Sequence, residues 1–134
     1  MMHADVKQNM THTILIADDE PNMLLSLEFL MQRVGYNVIL AHDGQEAMDL
    51  IVRDVPDLVL LDVMMPIKTG FDVCFEVRAH KDNVSKTRIL MLSARSRDTV
   101  VAKGLALGAN AYMTKPFSTK DLVTKVQAML EKRA

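Results

Sequence analysis

The amino-acid sequence predicts an α/β fold, in which helices cover both faces of a doubly wound, parallel sheet of five strands. The chain has 134 residues, which is the size of one domain. Five short apolar runs alternate with longer segments of helical period, and such alternation indicates parallel strands that helices connect with right-handed crossovers. Most of the runs do not alternate apolar with polar residues, as expected for strands buried on both faces.

The five strands are predicted at apolar, partly β-branched runs. They are Thr13–Ala17, Tyr36–Ala41, Asp57–Leu61, Arg88–Leu92 and a run near Ala111–Met113. Between the first two strands, apolar residues recur at intervals of three and four, which predicts a helix. These residues are Leu24, Leu27, Met31 and Val34. Pro21 suits the first turn of this helix, and Gly35 suits the position after its last turn.

The second and third helices are predicted to begin at polar residues that can cap a helix. Asp43 and Glu46 have the spacing of a capping box ahead of the second helix. Pro56 then prevents that helix from continuing. Thr69–Gly70 opens the third helix, in which the side chain of Cys74 is expected to pack in the core.

The last two helices are predicted from shorter patterns. Gly108 marks the end of the fourth helix, whose apolar residues are Val100, Val101 and Leu105. Ser118 and Asp121 have the spacing of a cap for the fifth helix. The residues expected to face inward from that helix are Leu122, Val126 and Met129.

Composition and charge exclude several classes of function. The 16 Lys and Arg residues balance the 17 Asp and Glu residues, so no basic excess indicates direct nucleic-acid binding. Aromatic residues make up 4% of the chain and Trp is absent, which argues against a base-stacking surface. The single cysteine allows no internal disulfide, and no apolar run approaches the roughly 18 residues of a membrane span. These features predict a cytoplasmic protein without a membrane segment.

Residues 1–12 are predicted to form a flexible N-terminal tail. They are mostly polar and lack the apolar centre of a signal peptide. The folded domain is therefore predicted to span residues 13–134, without a linker or an internal repeat.

Polar residues stand at the ends of four predicted strands. Asp18 and Asp19 follow the first strand, Asp62 ends the third, Ser93 follows the fourth and Lys115 follows the fifth. The carboxyl ends of parallel strands meet at one edge of an open α/β sheet, where ligands bind. We therefore expect three carboxylates, a hydroxyl and an ammonium group to lie close together there.

The chemistry of these side chains predicts magnesium-assisted phosphoryl transfer. One Asp after a strand is usually a helix N-cap, but Asp62 follows four apolar residues, and a carboxylate so placed needs a partner. Two neighbouring carboxylates would raise its pKa unless a cation is present. Mg²⁺ is typically held by one or two carboxylates with waters and a phosphate. Lys115 and Ser93 suit the oxygens of a phosphoryl group.

Several short motifs occur in order from about Thr13 to Leu130. They are Asp18–Pro21, Leu60–Pro66 with Gly70, Ser93–Ala94, Gly108–Ala109 and Tyr112–Phe117. Together they resemble the receiver domain of bacterial two-component response regulators, in particular the stand-alone chemotaxis receivers. The resemblance implies a flavodoxin-like (βα)5 fold with strand order 2-1-3-4-5.

The resemblance also implies a role for each carboxylate. Asp62 would be the phosphoacceptor. Asp19, Asp62 and the backbone carbonyl of Met64 would ligate Mg²⁺ directly, whereas Asp18 would act mostly through water.

The remaining roles implied by the resemblance concern the response to phosphorylation. Ser93 would move towards the phosphoryl group, and Lys115 would pair with it. Tyr112 would be the switch aromatic that rotates inward as Ser93 moves. The Lys115–Pro116 peptide bond is expected to be cis.

The implied partners are a histidine kinase or histidine phosphotransfer protein and a downstream protein that the sequence does not name. The protein is expected to be no enzyme in the ordinary sense, since it catalyses its own phosphorylation and slow dephosphorylation.

Receivers of the DNA-binding branch often carry two acids at positions 110 and 111, where this chain has Asn110 and Ala111. A monomer is therefore expected in the unphosphorylated state. Phe75 is expected at the edge of the core, with contact to a partner as the alternative.

Two alternative functions remain open from the sequence. One is an aspartyl-phosphate phosphatase of the haloacid-dehalogenase kind, although its nucleophile would lie in an Asp-x-Asp motif after the first strand. The other is a receiver fragment of a longer DNA-binding regulator. A nucleotide or flavin binder is disfavoured, because the chain has five glycines and no glycine-rich phosphate loop.

Overall fold

A parallel sheet with helices on both faces organises the chain in a computed structural model, which describes residues 12–95 and 97–131. The strands are β1 (Thr13–Ala17), β2 (Asn37–Ala41), β3 (Leu58–Asp62), β4 (Arg88–Ser93) and β5 (Ala111–Thr114). The helices are α1 (Pro21–Val34), α2 (Gly44–Asp54), α3 (Gly70–Ala79), α4 (Asp98–Ala106) and α5 (Thr119–Glu131), with a 3-10 turn at Asn83–Lys86. The predicted alternation of strands and helices is confirmed.

The order of the strands in the sheet is β2-β1-β3-β4-β5, and all neighbouring pairs are parallel. This is the order that the resemblance implied. Because β1 and β3 are neighbours near the middle of the sheet, the residues that follow β1 meet the end of β3. The order of the strands therefore brings the predicted acidic residues to one edge.

Two apolar layers cover the sheet. On one face, Leu15 and Leu61 pack in a cluster with residues of α2 and α3. On the other face, Ile16 and Leu60 pack with residues of α1 and α5. Adjacent strand residues thus point into opposite layers, and both layers need apolar side chains, which explains the lack of polar alternation in the strands.

The ends of the helices follow the predicted capping residues in most cases. Gly35 has φ 111°, the left-handed conformation that closes α1. Thr69 and Asp72 form a capping box at the start of α3, with hydrogen bonds of 3.1 and 2.9 Å. Of the two hydrogen bonds in the capping box predicted for α2, one forms and the other does not. Asp43 accepts a hydrogen bond from the Glu46 backbone N–H, but the Glu46 carboxylate bonds the backbone N–H and ring of His42 instead.

Two predictions about apolar side chains on the helices need correction. Phe75 on α3 does not lie at the edge of the core, because 61% of it is exposed. Leu105 on α4 is also exposed, and α4 reaches the sheet through Gly104. Cys74 is fully buried, as predicted, and Leu122 and Val126 of α5 face the core.

The predicted tail of residues 1–12 lies outside the described residues except for His12, so it remains a prediction. The carbonyl of His12 accepts a hydrogen bond from the backbone N–H of Asn37 at the start of β2. Among the residues that the structure describes, no helix combines the length and the apolar character that a membrane crossing requires.

Backbone strain at the end of α2 generates a stability prediction. Val55 adopts φ 43° and ψ 66° as the C-cap of α2, a conformation that costs β-branched residues on the order of 1–2 kcal/mol. Asn tolerates this conformation and keeps the backbone N–H that bonds Ile51. Val55→Asn should therefore raise the free energy of unfolding in urea by about 0.5–1 kcal/mol.

Val52→Asn provides the matched control, because Val52 has similar exposure but lies within α2. Val and Asn have similar helix propensities, so little change is expected there. Equal effects of the two substitutions would show that the strain at Val55 is not the cause.

Candidate functional site

Three carboxylates meet at the carboxyl edge of the sheet. Asp18 and Asp19 continue the chain beyond β1, and Asp62 is the last residue of β3. One carboxylate oxygen from each lies within 4.8 Å of the others. Asp18 and Asp62 are buried and Asp19 is exposed, so the cluster opens to solvent on the side of Asp19.

Lys115 supplies a positive charge to this cluster. Its Nζ atom donates to Asp18 Oδ2 at 2.9 Å and lies 3.4 Å from Asp62 Oδ1. The backbone N–H of Lys115 bonds the Ser93 carbonyl at 2.7 Å, which fixes the start of the loop beside β4. The Lys115–Pro116 bond is cis, as the resemblance implied. One ammonium group faces three carboxylates, so the site keeps an excess of negative charge.

Burial and the excess of negative charge shift the pKa values of two groups at the site. Burial, followed by the charge of Asp18, raises the pKa of Asp62 from 3.8 to about 6, although Lys115 opposes the increase. For Lys115, burial acts to lower the pKa. The hydrogen bond that Lys115 donates to Asp18 and the charges of Asp62 and Asp18 outweigh burial, so the pKa of Lys115 is raised.

The donor atoms of the site fit a hard divalent cation. Both oxygens of Asp18 already accept hydrogen bonds, from the Glu20 backbone N–H and from Lys115. Within residues 12–95 and 97–131, neither the Asp19 carboxylate nor the Met64 carbonyl has a hydrogen-bond partner. Asp19, Asp62 and Met64 thus offer oxygen ligands of the kind that Mg²⁺ prefers. This arrangement agrees with the lesser metal role predicted for Asp18.

The two predicted switch residues meet at the same backbone segment. Ser93 is buried at the end of β4, and its Oγ atom accepts a hydrogen bond from the Arg95 backbone N–H at 3.1 Å. The hydroxyl of Tyr112, which is partly buried, donates to the carbonyl of Arg95 at 2.9 Å. The structure therefore connects Ser93 to Tyr112 through Arg95, a link that the sequence did not indicate.

Two glycines position the helices beside the site. A Cβ atom at Gly70 would collide with the carbonyl oxygen of Asp62, so the first residue of α3 presses directly on the end of β3. A Cβ atom at Gly104 would lie 2.7 Å from Met91 Sδ and 3.3 Å from the ring of Tyr112. The sequence motifs included Gly70 but missed Gly104, because a helical glycine has no pattern that distinguishes close packing from chance.

Comparisons with known proteins agree with this architecture. The family model described as the response regulator receiver domain matches residues 14–127. A putative response regulator from Chloroflexus aurantiacus is 36% identical with a TM-score of 0.84, and the match covers 90% of this chain and 98% of that chain. The chemotaxis protein CheY4 of Vibrio cholerae is 31% identical with a TM-score of 0.81, covering 88% and 98% of the two chains. The receiver domain of the Francisella response regulator 1452 is 28% identical, with a TM-score of 0.83 and coverages of 90% and 97%.

The fold and the acidic edge define an α/β protein whose site lies at the carboxyl ends of its central strands. Within that class, the chain belongs to the response regulator receiver domain family, since the family model covers most of its length. The predicted fold class and the function as a receiver domain of two-component signalling are thus confirmed. Asp18, Asp19, Asp62 and Lys115 lie together as predicted, whereas the chemical role of each residue remains a prediction.

The raised pKa of Asp62 generates a prediction about stability and pH. The folded, metal-free protein binds a proton at Asp62 more tightly than the unfolded chain, so this stability is present below pH 3.8 and is lost as pH rises through about 6. In chelator, the free energy of unfolding of the wild type relative to Asp62→Asn should fall by about 2 kcal/mol between about pH 4 and about pH 7. Equal pH profiles for the two proteins would contradict the assignment.

Proposed function

We propose that the protein accepts a phosphoryl group on Asp62 from a phosphohistidine of a histidine kinase or phosphotransfer protein. The observation that carries this proposal is one buried carboxylate, Asp62, held between two other carboxylates and the ammonium group of Lys115. Membership of the receiver family supports it. The proposed cytoplasmic location follows from these partners and from the sequence composition.

The hydrogen bonds favour Asp62 over its neighbours as the nucleophile. Asp18 has both oxygens engaged, one by a backbone N–H and one by Lys115. Asp19 is exposed to solvent, where a phosphoryl group would be poorly shielded from water. Asp62 lies at the buried end of β3 with one oxygen 3.4 Å from Lys115 Nζ. A nucleophile must be ionised, and the raised pKa of Asp62 still leaves it mainly ionised above about pH 6.

The transfer exchanges one bond for another. An oxygen of Asp62 forms a bond to phosphorus while the phosphorus–nitrogen bond of the donor breaks, and that electron pair stays on the imidazole nitrogen. The imidazole leaves neutral when its other ring nitrogen carries a proton. Mg²⁺ held by Asp19, Asp62 and the Met64 carbonyl would offset the repulsion between the carboxylate and the phosphoryl oxygens.

Lys115 and Ser93 are proposed to recognise the transferred group. The ammonium group of Lys115 reaches the site from β5 and can pair with a phosphoryl oxygen once Asp62 is modified. The Ser93 hydroxyl would exchange its bond with the Arg95 N–H for a phosphoryl oxygen. Because the Arg95 carbonyl holds Tyr112, a shift of this loop would free the aromatic side chain to rotate.

The protein is proposed to be a signalling module rather than an enzyme in the ordinary sense. The reaction ends with the protein itself modified, and water later cleaves the acyl phosphate to release inorganic phosphate. The phosphoryl group adds roughly −1.5 to −2 charge to a site that is already negative. This change would bias the contacts of α4 and β5, and a downstream protein would bind the altered face. Direct nucleic-acid binding is not proposed, given the balanced charge.

Substitution of Asp62 tests the phosphoacceptor. Asp62→Asn keeps the shape of the side chain but removes the nucleophile, so phosphorylation by a small acyl-phosphate donor should fall to background in an intact-mass measurement. Asp49→Asn, on the exposed face of α2, is the matched control and should accept a phosphoryl group as the wild type does. Unchanged phosphorylation of Asp62→Asn would contradict the proposal.

Substitution of the other two acids tests the metal assignment. Asp19→Ala should abolish the Mg²⁺-dependent shifts of backbone amide resonances, because it removes a direct ligand. Asp18→Ala should weaken them less, since Asp18 is engaged by Lys115 and by a backbone N–H. Phosphorylation should require Mg²⁺ and stop in excess chelator. Full phosphorylation in chelator would refute the metal requirement.

A further inference from the structure

The loop that joins β3 to α3, residues 63–69, carries Met64, whose carbonyl is one of the proposed Mg²⁺ ligands. The base of this loop is closed by the backbone N–H of Gly70, which donates to the Val63 carbonyl at 2.8 Å. Gly70 also lies so close to the carbonyl oxygen of Asp62 that a Cβ atom there would collide with it. The first residue of α3 therefore holds the base of the β3–α3 loop against the end of β3.

The tip of the β3–α3 loop is a strained turn. The backbone N–H of Lys68 donates to the Pro66 carbonyl at 2.8 Å, so Ile67 alone stands inside the turn, with φ 72°. Three-residue turns with a positive φ at the centre are rare, and a β-branched residue in that conformation is an outlier. Because 75% of Ile67 is exposed, packing of its own side chain does not hold it there. Contacts made by the backbone must hold the turn instead.

The first residue of α2 supplies such a contact. The backbone N–H of Gly44 donates to the Pro66 carbonyl at 3.4 Å. A Cβ atom at Gly44 would collide with the carbonyl oxygen of Lys68 and would lie 2.6 Å from the carbonyl carbon of the same residue. Gly44 is helical and has no positive φ, so its backbone conformation does not require glycine. The close approach of the β3–α3 loop does.

We propose that Gly44 is a positioning residue for the Mg²⁺ site, acting through the carbonyl of Met64. The absence of a side chain lets α2 approach the β3–α3 loop and fix the strained turn. Met64 precedes Pro66, which Gly44 contacts, by only two residues, so a displaced turn displaces the Met64 carbonyl. Residues that orient a metal ligand without touching the ion typically contribute about ten- to a hundredfold to metal affinity. The inference rests on the proposed function, which takes this carbonyl as a ligand.

The substitution Gly44→Ala tests the close approach. Its Cβ atom must push the backbone of Lys68 away, so the Kd for Mg²⁺ should rise at least about tenfold in a titration followed by backbone amide resonances. Gln45→Ala is the matched control, since Gln45 is the next residue of α2 and its side chain bonds Asp49 on the same helix. It should bind Mg²⁺ as the wild type does. Equal Kd values for Gly44→Ala and the wild type would overturn the proposal.

The backbone amide of Met65 gives a readout that a general loss of stability would not change selectively. An ion on the Met64 carbonyl polarises the peptide group that contains the Met65 N–H, so this resonance should shift with Mg²⁺ in the wild type. At saturating Mg²⁺, the shift at Met65 should shrink in Gly44→Ala, whereas the shift at Asp19 should persist. Equal loss of both shifts would indicate damage to the whole site and would overturn the positioning role.

A second variant, Ile67→Gly, keeps the test independent of any folding defect in Gly44→Ala. It adds no atoms to the turn, and glycine adopts a positive φ without strain. Glycine also leaves the turn more conformational freedom, which the β3–α3 loop must then lose when the ion binds. The Kd for Mg²⁺ should therefore rise at least about threefold. An unchanged Kd would show that the position of this loop does not control metal binding, and would overturn the inference.

The wild-type titration separates this inference from the proposed function. A wild type without a Mg²⁺-dependent shift at Met65 removes the Met64 carbonyl from the proposed ligands and overturns both. A wild type with that shift, beside a Gly44→Ala variant of unchanged Kd, overturns the positioning role alone. Urea unfolding of each variant confirms that the compared proteins are folded under the conditions of the titration.

Discussion

The crowding of three carboxylates around one ammonium group at the edge of the sheet is the interaction on which the other features depend. In water these groups would repel weakly, but Asp18 and Asp62 are buried, where charge interactions are stronger. Burial of Asp62, followed by the charge of Asp18, raises the pKa of Asp62. The strand order creates this crowding, because it places β1 and β3 side by side. A cation or a proton is therefore needed to balance the excess negative charge of the site. Whether Asp62 is ionised depends on which of the two is bound.

This crowded site contacts two helices in different ways. Gly70 fits α3 against the carbonyl of Asp62, so α3 is attached to the phosphoacceptor strand itself. The connection to α4 is longer and runs from Ser93 to Arg95 and then to Tyr112, which packs under Gly104. A change at the acidic edge therefore acts on α3 and α4 unequally.

The sequence predicted the alternation of strands and helices and the acidic cluster because both depend on simple patterns, whereas the strand order came from the family resemblance. Buried strands need apolar residues throughout, and a polar residue at the end of such a strand is conspicuous, as with Asp62. Predictions failed where two backbone N–H groups can bond the same side chain. They also failed where the exposure of a side chain depends on how neighbouring helices pack. Glu46 had two possible backbone partners and bonds His42 rather than Asp43. The exposure of Phe75 depends on how closely α4 approaches α3, which spacing along the chain does not reveal.

Arg78 connects α3 to the segment that follows α4. Its guanidinium group extends from α3 to the Gly108 carbonyl at 2.9 Å and to Asn110 Oδ1 at 2.9 Å, and that amide oxygen also accepts from the Ile89 N–H. The amide oxygen of Asn110 thus accepts two hydrogen bonds within the chain. The C-terminal end of α4 is fixed to α3 by these bonds. Its N-terminal end begins at Arg97 without a side-chain cap, so we expect any displacement of α4 to be largest beside Ser93 and smallest at Gly108.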